Sequence, residues 1–298
     1  LLVSVLLFGC SKENEVNTNN ITWEKLFGED SSDDQGKSVQ QTNDGGYIIC
    51  GSTLSYGYDF GSLYLIKTDE NGNEEWSKFG NNFGLDGNYE SEGLSIKKTN
   101  DGGYIMLVER RDLGGINQVY KLIKINENGL FNWIVNLNLD GVSSVQQTID
   151  GRYIVIGTNY TGDSNGLSFY NTTIIKTNEN GQEIWNNSFG ESYDCRGTSV
   201  EQTLDGGYIL CGRFDDEIYL IKIDQNGQEI FNNTFQDGYF GRSVKQTMDG
   251  GYIVLGHSYS NGTNLIKTNN NGQVIWISSL GSSFISRSVI QTHNDDYI

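Results

Sequence analysis

The feature that most constrains this chain is that it repeats. The phrase SVQQTNDGGYI, beginning at Ser38, returns with substitutions as LSIKKTNDGGYI, SVQQTIDGRYI, SVEQTLDGGYI, SVKQTMDGGYI and SVIQTHNDDYI. Its tyrosines are Tyr47, Tyr104, Tyr153, Tyr208, Tyr252 and Tyr297, so the steps are 57, 49, 55, 44 and 45 residues. A second phrase follows the first in five of the repeats: LIKTDENGNEEW, LIKINENGLFNW, IIKTNENGQEIW, LIKIDQNGQEIF and LIKTNNNGQVIW, ending at Trp76, Trp133, Trp185, Phe231 and Trp276. A period of this size means one supersecondary unit used again and again, each burying its apolar surface against the next. Five repeats are complete and a sixth is cut short.

Within a repeat, four short runs alternate strong β-formers with polar residues: SVQQT, GYIICG, LYLIKT and EEWSKFG in the first. Asp-Gly and Asn-Gly stand at the joints, where tight hairpins need positive φ. No window sustains a 3.6-residue apolar period, so helix is not competitive. Four strands per unit predict an all-β chain, a β-propeller of four-stranded antiparallel blades over residues 21–298. The segment ITWEKLFG, with Trp23, reads as a fourth strand placed ahead of the first repeat. Closing a ring with strands from both termini would use it, which predicts about six blades, with a longer parent of seven or eight equally consistent, and a sequence truncated at both ends. The composition agrees: 38 glycines serve the turns, and the absence of proline spares ladder donors in a chain that is mostly strand.

Residues 1–9, LLVSVLLFG, are apolar and uncharged and stop at Cys10 before a polar run. Nine residues cannot span a hydrocarbon core, which needs about 20, so the run reads as the remnant of a signal-peptide apolar region. Leu7-Phe8-Gly9-Cys10 resembles the lipobox of bacterial lipoproteins, which implies lipidation of Cys10 and residues 10–20 as a polar tether. Ser11-Lys12-Glu13-Asn14-Glu15 is similar to the acidic export signals of Bacteroidetes surface lipoproteins. Together these resemblances imply a membrane partner through a lipid anchor, and a place in the bacterial envelope, on the outer membrane and surface-exposed.

The spacing from Ile66 through Thr68 and Gly72 to Trp76 resembles the tryptophan-docking motif of quinoprotein-like propellers, in which the indole braces the neighbouring blade. The repeats SVQQTxDGGYI and LIKTDxNGxxxW are similar to those of Bacteroidetes lipoprotein β-propellers. The resemblance covers residues 21–298 and implies architecture. It implies no quinone chemistry, because a vicinal cysteine pair is missing and no cofactor is expected.

A net charge of -18 argues against nucleic acid, whose phosphates need a basic face. Of two histidines, His257 and His293, neither sits in a motif with a nucleophile. Cys50 and Cys211 share one strand position and read as buried fillers, while Cys195 in SYDCRG falls in a loop. The DENG-type turns lack the Asp-x-Asp-x-Asp-Gly spacing of a calcium loop and read as hairpins. Asp215-Asp216 is one of many acidic pairs expected by chance in so acidic a chain.

Joint lengths locate a site. Joints between strands one and two, and three and four, are short and uniform, whereas those between two and three, and from four to the next repeat, vary. In an up-and-down blade the two variable classes emerge together, where binding residues concentrate. Aromatic residues crowd these joints, and Tyr89, Tyr193, Tyr239 and Phe284 are candidates for stacking on sugar rings or a protein surface. The residue before the recurring serine is Lys37, Arg242 and Arg287 in repeats one, five and six, a candidate anion-accepting patch for a carboxylate or sulfated sugar. The expectation is a non-catalytic binding or scaffolding propeller whose ligand is a glycan or a protein. The rival is a carbohydrate-active hydrolase or lyase, which would show convergent carboxylates where a binding module shows an aromatic shelf.

Overall fold

A computed structural model describes residues 2–3, 24–28, 33–55, 61–85, 89–112, 117–164, 167–190, 194–236, 240–258, 262–281, 287–292 and 297. The segment expected as a leading fourth strand does not join a blade where it is described: Lys25–Leu26 (β2) pairs antiparallel with Leu2–Val3 (β1) in a separate two-stranded ladder, and Trp23 lies outside the described residues. Each complete repeat then folds as one sheet. The first comprises β3 (Gln35–Gln41), β4 (Tyr47–Thr53), β5 (Ser62–Thr68) and β6 (Glu74–Phe79), and the second β7 (Tyr89–Lys98), β8 (Tyr104–Asp112), β9 (Gln118–Ile125) and β10 (Phe131–Leu137). The third comprises β11 (Gly141–Gln147), β12 (Tyr153–Ser164), β13 (Leu167–Thr177) and β14 (Glu183–Phe189). The fourth comprises β15 (Cys195–Gln202), β16 (Tyr208–Phe214), β17 (Glu217–Ile223) and β18 (Glu229–Phe235). The fifth comprises β19 (Phe240–Gln246), β20 (Tyr252–Ser258), β21 (Gly262–Thr268) and β22 (Val274–Ser279). Strand order follows chain order and every pairing within a sheet is antiparallel, the up-and-down blade of a β-propeller.

Two compact units divide the chain: residues 1–7, 13–140 and 179–182 form the first, and 8–12, 141–178 and 183–298 the second. Blades 1 and 2 thus lie in the first unit and blades 3, 4 and 5 in the second. In each unit the central strands are buried on both faces, which is why runs such as Leu63–Ile66 are apolar without alternation. Each such Leu or Ile contributes roughly 1.5–3 kcal/mol by leaving water.

The recurring phrases are explained by contacts from blade to blade. Ser38 Oγ accepts the backbone N–H of Ile96 in the next blade at 3.2 Å, and Ser199 does the same for Val244 at 3.3 Å. The second glutamine of QQT bridges as well: Gln202 Oε1 accepts the Ile149 N–H at 2.7 Å and Gln246 Oε1 that of Leu204 at 2.8 Å. The docking of the closing aromatic is also present. A Cβ added to Gly129 would meet the Trp76 ring at 2.7 Å, and one added to Gly227 would meet Trp185 at 3.1 Å. The start of the sixth repeat continues the scheme: Val289 is buried, Gln291 accepts the Met248 N–H at 2.9 Å, and Tyr297 meets the edge of Trp276 at 5.9 Å.

Two local features differ from the sequence expectation. Cys195 does not lie in a loop; it opens β15, is buried, and sits 3.3 Å from Thr172 Oγ1. β15 carries a β-bulge between Gly197 and Ser199, and beyond it Arg196 and Cys195 still pair with β16. The same bulge recurs in all five first strands, and the bulged residues are Lys37, Leu94, Ser143, Thr198 and Arg242. Two of the three residues expected to form a cationic patch are therefore bulge residues, their backbone re-aimed out of the ladder.

Candidate functional site

At the turn end of each blade stands a pair that the repeat phrases hold constant. The lysine of LIK is buried and meets the aspartate of the DG turn: Lys67–Asp44 at 2.9 Å, Lys124–Asp101 at 2.8 Å, Lys176–Asp150 at 3.2 Å, Lys222–Asp205 at 3.0 Å and Lys267–Asp249 at 2.8 Å. Hydrogen bonds from Thr42 and then from Lys67 hold the Asp44 carboxyl down at about 2, and Lys267 and Thr247 do the same at Asp249. The ammonium also donates to the next backbone carbonyl in four blades, at 2.9–3.0 Å. These pairs tie strand three to the turn between strands one and two. They are structural, and the three described thiols are chemically quiet too: burial pushes Cys50 and Cys211 up to about 12 and Cys195 to about 11.

The 3–4 turns need no cation. Asp69 accepts the N–H groups of Asn71 and Asn73, both at 2.8 Å, and Asp224 those of Asn226 and Gln228. Among the described residues no group of three His, Cys, Asp or Glu is placed to hold a metal.

The variable end is where charge and aromatic rings gather. In the first unit a cavity of about 110 Å³ is lined by Ser52, Glu90, Glu92, Glu109 and Arg111, among others. Lys37 meets Glu92 at 3.1 Å and Ser52 donates to the same carboxylate at 3.3 Å. Arg111 pairs with Glu109 and lies 3.9 Å from Glu90. Tyr89 is covered by the guanidinium of Arg110, 3.4 Å from its ring centroid. Three glutamates do converge here, but each faces a cation.

In the second unit the same end of blades 3 to 5 carries an arginine–aromatic ladder. Tyr160 meets Tyr170 edge-on at 5.7 Å, and Arg196 lies 4.1 Å from the Tyr170 centroid. Asp194 then joins Arg196 at 2.7 Å to Arg213 at 3.3 Å. Arg213 and Arg242 flank the Phe240 ring at 5.2 and 5.0 Å, within cation–π range. Asp215 and Asp216, dismissed as a chance pair by sequence reasoning, shape the blade-4 hairpin. Asp215 adopts φ 50°, its carbonyl accepts from Arg213 Nε, and Asp216 lies 3.6 Å from the same guanidinium.

Of the sequence candidates, Lys37 and Tyr89 are thus engaged in the first unit, and Arg242 joins the ladder of the second. Arg287 is exposed in the second unit. Cys10, Tyr193, Tyr239 and Phe284 lie outside the described residues. Sequence reasoning missed Arg196 and Arg213. A signal was available: of seven arginines, Arg110, Arg111, Arg196, Arg213, Arg242 and Arg287 all fall at the variable end, and only Arg152 does not.

No family model matches the sequence, and no curated protein matches it. Solved structures share the fold. A protein of unknown function from Bacteroides caccae is 14% identical with a TM-score of 0.53, the match covering 86% of this chain and 85% of that one. A protein from Lactobacillus plantarum is 12% identical with a TM-score of 0.56, covering 87% and 75%.

Proposed function

We propose that this chain is a cell-envelope lipoprotein whose propeller acts by binding rather than by catalysis, its ligand an anionic glycan or an acidic protein surface. The observation that carries the reading is the ladder Tyr170–Arg196–Asp194–Arg213–Phe240–Arg242, three guanidinium groups interleaved with rings across three blades. Guanidinium forks match sulfate and carboxylate groups, and aromatic faces take the C–H face of a sugar or an apolar side chain. A background charge of -18 repels anions over most of the surface, and an anion here would share Arg196 and Arg213 with Asp194 and Asp216.

The test is a binding series with dextran sulfate, polygalacturonate and unmodified dextran on the wild type and on Arg196→Gln/Arg213→Gln/Arg242→Gln. The sulfated or carboxylated polymer should bind, neutral dextran should not, and the triple variant should lose affinity by about two orders of magnitude, roughly 1 kcal/mol per charge-assisted contact. Equal binding by the variant rejects the reading. The anchor is tested separately: Cys10→Ser should move the protein from the membrane fraction to the soluble one, and retention in the membrane rejects lipidation.

A further inference from the structure

The turn end, which the repeats keep uniform in length, is not uniform in chemistry. The position after Thr in TxDG is Asn43 and Asn100 in the first unit, but Ile149, Leu204 and Met248 in the second, where these side chains are 80%, 84% and 61% exposed. The position before the closing aromatic follows suit: Glu75 and Asn132 in the first unit, Ile184, Ile230 and Ile275 in the second, all three exposed. The backbone is the same in both units, so the fold does not require aliphatic residues there. Each apolar turn residue is also rigidly presented, its N–H held by Gln202, Gln246 or Gln291 of the following blade.

Blade 3 departs once more. Its turn reads DGR, with Arg152 where the other complete repeats have glycine. A Cβ at Gly46, Gly103 or Gly251 would stand 2.9, 2.6 or 2.7 Å from the buried ammonium of its own blade. Arg152 occupies that space, and Lys176 donates instead to Thr148 Oγ1 at 2.7 Å and to Tyr208 OH at 2.8 Å of the next blade. Beside it opens a groove of about 540 Å³, lined by Ile149, Asp150, Arg152, Lys176, Ile184 and Trp185 among others. Two cations face one carboxylate there, in a chain that is otherwise acidic. Burial, with Arg152 adding to it, outweighs Asp150 and draws Lys176 below the ordinary lysine range, whereas the second carboxylate of Glu75 lifts Lys67 above it.

We propose that this face of the second unit docks an extended peptide segment of a partner protein, its acidic side chain seated at Arg152 and its aliphatic side chains on Ile149, Leu204 and Met248. Lys176 is buried and bonded to Thr148, Asp150 and Tyr208, so the charge complementarity rests on Arg152, which lies 3.5 Å from Asp150 with its side chain about half exposed. The row of apolar residues running from the groove onto blades 4 and 5 calls for an extended occupant, longer than a small molecule. The site is independent of the arginine ladder, which lies at the other end of the blades.

Selection from a random 12-residue peptide library displayed on phage, followed by fluorescence anisotropy with the consensus peptide, tests the proposal. Two variants restore residues that the other repeats already carry, so both should fold: Arg152→Gly, and Ile149→Asn/Leu204→Asn. The expected consensus places one Asp or Glu among aliphatic residues. Arg152→Gly should weaken its binding roughly tenfold, one charge-assisted contact, and leave a Glu→Gln version of the peptide unaffected. The double Asn variant should weaken both peptides. No enriched consensus, a basic consensus, or binding indifferent to both variants overturns it. So does self-association that Ile149→Asn/Leu204→Asn abolishes, because the face would then serve a second copy of this chain.

Discussion

At the residue scale, the Lys–Asp pair shows what a repeat phrase is for. The ammonium is buried while its aspartate stays about half exposed, so the two partners are not equivalent. Removing the carboxylate strands a buried charge; removing the lysine leaves an acid that water can solvate. Asp205→Asn should therefore cost about 2–3 kcal/mol and Lys222→Met about 1–2 kcal/mol in urea unfolding, the reverse of what size alone predicts. The pairing also sets an acid response. Asp44 and Asp249 bind protons less readily folded than unfolded, held down at about 2. Their stabilisation is complete above about pH 4, near the unfolded carboxyl value, and is lost as pH falls toward 2. Urea midpoints measured from pH 5 to pH 2 should fall most steeply in that window, and an Asp44→Asn/Asp249→Asn variant should fall less. Solvent exposure of both carboxylates keeps the effect modest. None of this was legible beforehand. Every repeat keeps both residues, but their separation runs from 17 to 26 residues, so no fixed spacing marks them as partners.

At the element scale, strands, turns and the sheet order could be read from period-2 runs and the DG and NG joints, because those signals are local. The aromatic docking was expected only from the resemblance of the phrase to the tryptophan-docking motif; the structure places the closing ring against the glycine of the next blade. Two glycine substitutions separate conformation from docking. Gly227 and Gly250 have φ +84° and +81°, but only Gly227 has a ring against its Cβ position. Gly250→Ala should cost ~1–2 kcal/mol for the left-handed backbone alone, and Gly227→Ala more, with Trp185 fluorescence altered only in the latter. The bulged position itself is variable, as Lys37, Leu94, Ser143, Thr198 and Arg242 show, but its neighbours are not: a serine follows it in all five repeats and a glycine precedes it in four. Beyond it β15 goes on pairing as far as a buried Cys195 that the sequence suggested was in a loop.

At the scale of the whole molecule, both proposed binding surfaces lie in what departs from the repeat. The loop joints pointed to the end where the arginines lie, but the ladder itself was invisible, because Tyr170, Arg196, Arg213 and Phe240 come from four strands and meet only once three blades are side by side. Arg242 is the bulged residue of β19, and its guanidinium lies 5.0 Å from the Phe240 ring two residues earlier. Hydrogen exchange of the protein with and without dextran sulfate tests this central claim most directly. Protection should appear at the start of β15, the end of β16 and the start of β19, and should vanish in Arg196→Gln/Arg213→Gln/Arg242→Gln. Binding that protects only the opposite turn end, or that leaves those three segments exchanging as in the free protein, would contradict it.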